Sequence, residues 1–220
     1  MNRLLTIGIC ALSLFGALSS GEKTEEEAAF LARQMVHSYG MGTLITTYPD
    51  GQPFGSMDYF ADDCPSSGDP LLYLSSMQVS VRNFRQNPRA ALAIQSHLNS
   101  TDQSPMPHAR FTLMGEIRPV PTEELNRNLN ELRECFFKKH EEARRWPRGH
   151  AFRFYRLHVD RIYWIGGFGG YHYIGPIKPE VYHEIVKFDP QNVAREPTYL
   201  SSRQKIIQKL EQLGGFIILK

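Results

Sequence analysis

Residues 163–175, YWIGGFGGYHYIG, have the composition of a loop that could cradle a phosphate group. Glycine-rich turns bind pyrophosphate when the pattern G-x-G-x-x-G follows a strand and opens a helix. Counted from Gly166, the second glycine of the pattern falls on Phe168; counted from Gly167, the third falls on His172. No helical sequence follows. Glycines inside a strand more often allow a bend or a close approach of another segment, so we interpret these glycines as structural.

Two further groups of polar residues suggest metal chemistry, and neither completes a site. Residues 140–142, His-Glu-Glu, begin like the zinc motif H-E-x-x-H, but Arg144 stands where the second histidine is needed. His158 and Asp160 share one strand face, and we expect a surface salt bridge between them rather than a metal site. A nucleophile elbow, G-x-S-x-G, is absent from the sequence. We therefore predict no metal ligand and no catalytic residue.

The composition is that of a globular protein with a nearly balanced charge. The chain has 220 residues, of which 41% are hydrophobic, enough for the core of one domain or of two small ones. The formal net charge of +2 argues against strong electrostatic binding. We expect neither a nucleic acid nor an anionic membrane surface as a partner.

Residues 1–19 are typical of a secretory signal peptide. One arginine precedes an apolar run over residues 4–18, and small residues at 17 and 19 fit a cleavage site. At about 1.5 Å per residue, the run reaches roughly 22 Å and is too short for a hydrocarbon core of about 30 Å. We expect an exported mature chain from residue 20 onwards, without a membrane span.

Two features of the remaining chain fit an oxidising compartment. Asn99 lies in the sequon Asn-Ser-Thr within a polar stretch, so it is a predicted glycosylation site. Cys10 is removed with the signal peptide, which leaves Cys64 and Cys135. These two cysteines form either a disulfide or two free buried thiols.

The hydrophobic pattern predicts the elements that would position these residues. Helices are expected at 24–38 and 79–88, and a long helix begins at Thr122. Strands are expected at 43–48, 53–61, 71–75, 89–96, 110–120, 151–159 and 161–168. This order predicts an α+β domain over residues 20–190, a small β-barrel with flanking helices. Residues 191–220 are predicted to be a helical tail that packs on the body or on a partner.

Taken in order, several motifs of the chain resemble one superfamily. They are TLITTYPDGQPFGS, LLYLSSMQVSVRNFRQNPRAALAI, FTLMGEI and RIYWIGGFGG. Together they resemble the split β-barrels related to pyridoxamine 5'-phosphate oxidase, which bind FMN. With the signal peptide and the sequon, the chain looks most like the secreted CREG glycoproteins (cellular repressors of adenovirus-stimulated genes). The resemblance covers residues 24–188 and implies an FMN-binding split barrel that forms a homodimer, with the flavin or its vestige at the interface.

The same resemblance points to a weakened flavin site. Flavin-using relatives clamp the FMN phosphate with basic residues at two places, whose counterparts here are Ser56 and Ser80, with Arg82 and Asn83 beside the second. Each charge-assisted donor contributes on the order of 1.5–3 kcal/mol, which a neutral serine does not replace. The resemblance thus implies a vestigial or weak FMN site. We expect no cofactor, with FMN as the alternative.

Three functions remain open from the sequence. The resemblance implies a secreted or lysosomal, non-enzymatic homodimer that binds a cell-surface or sorting receptor in growth and differentiation control. The alternative is an exported FMN-dependent oxidoreductase, suggested by the block VRNFRQNPRAAL. The third is a haem-binding barrel, because WIGGFG resembles the HugZ-like haem-degrading members. Those members use a histidine near the C-terminus, and the last histidine here is His183.

Overall fold

The computed structural model of the protein describes residues 22–63, 66–96 and 104–184. The predicted signal peptide, Cys64, Asn99 and the predicted tail lie outside the described residues. These predictions therefore stay predictions.

Four α-helices and seven β-strands make up the described part of the chain. In order they are α1 (Glu25–Ser38), β1 (Met41–Thr47), β2 (Pro53–Asp62), β3 (Pro70–Ser75), α2 (Val79–Gln86), β4 (Arg89–Gln95), β5 (Arg110–Pro119), α3 (Thr122–Lys139), β6 (Phe152–Ile165), β7 (Ile174–Ile177) and α4 (Pro179–Glu184). Two short 3₁₀ helices, Glu141–Arg145 and Arg148–His150, connect α3 to β6. None of the described helices is long and apolar enough to cross a bilayer.

The strands form a closed barrel. The sheet order is β3-β2-β1-β4-β5-β6-β7, and β3 also pairs with β6, so six strands close on themselves and β7 adds to β6. All these pairings are antiparallel. Closure leaves few unpaired strand edges. The predicted class, an α+β split β-barrel with flanking helices, is confirmed.

The prediction of two strands at 151–159 and 161–168 is wrong, because the structure has the single strand β6. The register along β5 shifts between Met114 and Gly115, and Asp160 is the extra residue of a β-bulge. A bulge inverts the alternation of side chains beyond it, so the expected salt bridge between His158 and Asp160 does not form. His158 lies 3.5 Å from Asp69 instead, and Asp160 pairs with Arg89.

Two apolar clusters surround the barrel wall. Alternate strand residues fill the interior, and one register row brings together Leu44, Leu92, Leu113 and Ile162, all fully buried. The second cluster joins the buried face of α3, through Leu132, Phe136 and Phe137, to the outside of the barrel. Helix α1 contributes its alanine-rich face to the interior cluster. It begins with the predicted capping box, in which Thr24 and Glu27 bond each other's backbone N–H.

A buried ion cluster fastens α3 to the barrel. The Arg156 guanidinium on β6 lies 2.7 Å from an oxygen of Asp63 and donates two hydrogen bonds to Glu124 of α3. Hydrogen bonds to Glu124 and Asp63 outweigh desolvation and raise the pKa of Arg156, and the same cation lowers the pKa of Glu124. Arg156 and Glu124 are therefore both charged at neutral pH.

Replacing Arg156 by methionine should lower the free energy of unfolding by about 3–5 kcal/mol, because Asp63 would stay buried without its cation. The measurement is urea denaturation followed by tryptophan fluorescence. Arg89→Met is the matched control, since the Arg89–Asp160 pair is about half exposed and should contribute less than about 1 kcal/mol. Equal losses in the two variants would contradict this assignment.

Candidate functional site

The structure places Ser56 in a hydrogen-bonded chain at the start of α2. Ser56 Oγ donates to Asp58 Oδ2 at 2.9 Å, and Gln78 Nε2 donates to Asp58 Oδ1 at 2.9 Å. Gln78 Oε1 in turn accepts from the backbone N–H of Ser75 at 2.8 Å. Ser56 and Asp58 lie on one face of β2 because they are two residues apart. This chain of contacts links β2, the end of β3 and the residue before α2.

A carboxylate therefore lies beside Ser56, at the place where the resemblance implies phosphate-binding cations in flavin-using relatives. Burial raises the pKa of Asp58, and the hydrogen bonds from Ser56 and Gln78 oppose that rise. Both donors near Ser56 are already used by this carboxylate. A phosphate dianion brought here would meet a negative charge, and Ser56 already donates its one hydroxyl proton to that carboxylate.

The lack of cations in this region does not depend on how the chain is aligned with the relatives. Residues 41–81 contain no lysine, arginine or histidine, and they contain five aspartates. This segment spans β1, β2, β3 and the first residues of α2. A shift of one residue in the alignment would still place no basic residue at either clamp position.

The remaining predicted site residues lie on α2, some on its buried side and one on its exposed side. Ser80 and Asn83 are buried, and Asn83 Nδ2 donates to Thr46 Oγ1 of β1 at 3.1 Å. Arg82 and Arg85, the two cations that could replace the clamp, are exposed on the other side of the helix. Asn83 thus holds α2 on the barrel, whereas the Arg82 side chain is exposed to solvent. Ser56 and Asn83 thus have partners within the protein, and Arg82 is the one cation among the four predicted residues.

The outer face of the sheet carries an uncharged row of small and apolar side chains. One register row across four pairings brings together Met57, Thr43, Ala93, Thr112 and Tyr163. Met57 is 61% exposed and Tyr163 is 44% exposed. A shallow groove of about 290 Å³ runs along this row. The next row, through Ile45, Ala91 and Met114, lines a second groove of about 300 Å³ that ends at Arg89 and Arg161.

The glycine-rich stretch forms a loop between β6 and β7. This agrees with the interpretation that its glycines are structural. A Cβ on Gly166 would lie 1.5 Å from Glu22 Oε1, and Gly170 has a φ of +88°. The loop raises two aromatic side chains into solvent, Phe168 and Tyr171, each more than half exposed. The glycines therefore serve close packing and a tight turn, and no helix N-terminus follows them.

Glu22 holds this loop in place through three hydrogen bonds. Its carboxylate accepts hydrogen bonds from Trp164 Nε1 at 2.9 Å and from His172 Nδ1 at 3.0 Å, and its carbonyl accepts from the N–H of Tyr173. The Glu22 side chain is only 3% exposed. Gly166 allows this buried carboxylate to approach.

The residues considered for metal, thiol or haem chemistry have other partners. His140 is buried against Phe60 O at 2.8 Å, and residues 22–63, 66–96 and 104–184 hold no group of three or more side chains placed for a metal ion. Cys135 is disulfide-bonded. Cys64 lies outside the described residues, so its predicted pairing with Cys135 stays a prediction. Both ring nitrogens of His183 lie 3.1 Å from backbone carbonyl oxygens, so neither is oriented to bind iron.

Comparison with known proteins identifies the family. The family model described as "CREG, beta-barrel" matches residues 23–184. The chain belongs to the CREG family. It is 26% identical over 193 residues to Protein CREG1 of Gallus gallus, covering 80% of this chain and 96% of the relative. It is 30% identical over 175 residues to Protein CREG1 of Homo sapiens, covering 73% and 75%.

A solved structure shares the barrel of this CREG-family chain. It is a heme binding protein from Mycobacterium smegmatis, with a TM-score of 0.61 and 29% identity. The alignment covers 71% of this chain, which spans only 60% of that protein.

Sequence reasoning found Ser56 and Ser80 but missed the residues that determine their surroundings. Asp58 could have been found from its spacing, because residues two apart on a strand share a face. Gln78 could have been found as the residue before a predicted helix. Glu22 gave no local signal, since its partners Trp164 and His172 lie more than 140 residues away along the chain.

Gly166→Ala should lower the free energy of unfolding by about 1–3 kcal/mol, because the added methyl would displace the buried carboxylate of Glu22. Gly149→Ala is the matched control, since a Cβ there meets nothing within 4 Å. Thermal denaturation followed by tryptophan fluorescence reports both variants. A Gly166→Ala protein as stable as Gly149→Ala would show that Glu22 does not occupy this position.

Proposed function

We propose that this CREG-family chain works as an exported, non-enzymatic homodimer that binds a protein partner rather than a flavin. The observation that carries the proposal is the Asp58 carboxylate, which accepts hydrogen bonds from Ser56 and Gln78. Residues 41–81, which contain all three side chains, include no lysine, arginine or histidine. Flavin catalysis needs a bound cofactor, and the phosphate provides much of the charge that holds FMN. A barrel that lacks this clamp keeps the fold as a rigid scaffold for surface contacts.

The apolar outer face supports the homodimer. The row from Met57 to Tyr163 consists of small and apolar side chains with no charge, and it crosses five strands, β2, β1, β4, β5 and β6. Monomeric proteins rarely expose a large continuous apolar patch. A second copy related by a two-fold axis would bury the same face on both subunits. The dimer is thus proposed to use the sheet surface beside the exposed side chains of Phe168 and Tyr171.

Export supports a partner outside the cytosol. The predicted signal peptide and the sequon at Asn99 support the secretory route, and the disulfide at Cys135 fits an oxidising compartment. We propose delivery to the extracellular space or to the endolysosomal route through a sorting receptor. A role in growth and differentiation control follows the resemblance to the secreted CREG glycoproteins.

Haem binding is the second candidate, because the 29% identical relative from Mycobacterium smegmatis is a heme binding protein. The contacts of His183 argue against that residue as the iron ligand, since both of its ring nitrogens face carbonyl oxygens. A shift of the Soret band on adding haem that persists in His183→Ala would favour a haem site elsewhere on the barrel. No shift in the wild type would remove this candidate.

Titration with FMN tests the main proposal. We expect no quenching of flavin fluorescence up to about 100 µM protein, because the clamp region offers a carboxylate instead of cations. Asp58→Asn should also fail to bind, since it removes the repulsion but adds no cation. Wild-type protein that binds FMN with a dissociation constant below about 1 µM, or roughly 8 kcal/mol, would favour the oxidoreductase instead.

The proposed interface is tested by placing a charge at its centre. Ala93→Arg should convert the dimer to a monomer in sedimentation equilibrium, because a guanidinium would be buried against apolar side chains. Gln86→Arg, on the exposed end of α2, should stay dimeric. Circular dichroism would confirm that both variants are folded. A dimeric Ala93→Arg protein, or a monomeric wild type at micromolar concentration, would contradict the interface.

A further inference from the structure

A further groove, the α3 groove, lies between helix α3 and the barrel and takes no part in the proposed function. Its volume is about 530 Å³, against about 290 and 300 Å³ for the two grooves of the outer face. Small-molecule sites usually measure about 300–1,000 Å³. Helix α3 forms one side, and β3, the start of β6 and the connection from β5 to α3 form the rest.

The walls of the α3 groove are mainly aromatic and aliphatic. Tyr73 on β3 is the register partner of Phe154 on β6, and their ring centres lie 4.7 Å apart. The ring centre of Phe152 lies 5.2 Å from that of Tyr73. On the opposite side, α3 contributes Leu125 and Leu129, and Leu129 is 41% exposed. A ligand with an apolar body would remove this surface from water.

The charges that line the α3 groove are all positive. Among the described residues that line it, Arg133 and Arg153 carry a charge and none is acidic. Both arginines are exposed, and neither belongs to an ion pair within residues 22–63, 66–96 and 104–184. Arg133 contacts the ring of Phe137 rather than an acceptor oxygen. The outer-face groove at Arg89 instead includes Asp160, which pairs with that arginine.

We propose that the α3 groove binds a small amphipathic carboxylic acid. The apolar body of the ligand lies against the aromatic wall and Leu129, and its carboxylate pairs with Arg133 or Arg153. Arginine suits this role because its guanidinium binds a carboxylate through two parallel hydrogen bonds. A sugar or a nucleotide needs many polar partners, and Tyr73 and Thr122 are the hydroxyl-bearing residues in the lining.

The α3 groove is separate from the proposed dimer surface. Phe154 and Tyr163 are nine residues apart on β6, roughly 30 Å along the strand at about 3.3 Å per residue. The inference therefore does not depend on the proposed function. A monomeric protein that binds the acid would contradict the dimer and leave the α3 groove unaffected.

Isothermal titration calorimetry of the full-length protein with decanoate and with decanol tests the proposal. Decanoate should bind at least about tenfold more tightly than decanol, because only the acid makes charge-assisted hydrogen bonds with arginine. Octanoate, shorter by two CH₂ groups, should bind roughly tenfold more weakly than decanoate. No binding of decanoate up to about 1 mM, or equal affinities for decanoate and decanol, would overturn the proposal.

The arginines are tested by substitution. Arg133→Gln combined with Arg153→Gln should weaken decanoate binding at least about tenfold and leave decanol binding unchanged. Arg127→Gln is the matched control, since Arg127 is exposed on α3, donates to Glu123 O and does not line the groove. Arg153→Gln alone should also weaken decanoate, and it leaves the contact of Arg133 with Phe137 intact. Wild-type affinity for decanoate in the double variant would overturn the proposal.

Methyl NMR locates the ligand. Decanoate should shift the methyl signals of Leu125 and Leu129, and Ala93→Arg, which targets the proposed dimer surface, should bind decanoate as the wild type does. Shifts confined to Met57 and Met114 would place the acid in the outer-face grooves and overturn the proposal. Loss of decanoate binding in a folded Ala93→Arg protein would overturn it as well.

Discussion

The strand β6 closes the barrel, and the other features depend on this closure. Its first half pairs with β3 and its length pairs with β5, so residues 152–165 join the two edges of the sheet. The same strand carries Arg156 to α3, Trp164 to Glu22, and the carbonyl of Val159 to His183. A strand that serves so many contacts tolerates the bulge at Asp160 only because Gly115 opposite has no Cβ to collide with His158 O.

Much of the fold could be predicted from local sequence patterns. The hydrogen bonds that join the candidate site to residues distant in sequence could not. The capping box at Thr24 and the alternation in β1, β2, β4 and β5 depend on residues close in sequence, so they could be recognised. The single strand β6 was missed because polar residues at 160–161 look like a turn, whereas a bulge keeps the strand continuous. Strand β7 and helix α4 are four and six residues long, too short for a periodic signal.

The site shows the same division between local and distant information. Ser56 and Ser80 could be located by resemblance, but their surroundings come from Asp58 and from Gln78, which reaches across from the start of α2. The resemblance implies cations in this part of the barrel in flavin-binding relatives, whereas this chain has a carboxylate held by two neutral side chains. We propose that charge, rather than shape, separates the two uses of one fold. The outer face carries the uncharged row from Met57 to Tyr163, which we propose as the contact surface for a second subunit.

The central claim is that the barrel is a dimeric scaffold without a flavin. The most direct test is native mass spectrometry of the protein purified from a secreting eukaryotic host. The account predicts a complex of two glycosylated chains with no additional cofactor mass. A complex carrying one FMN per chain, or a single chain under the same conditions, would contradict it.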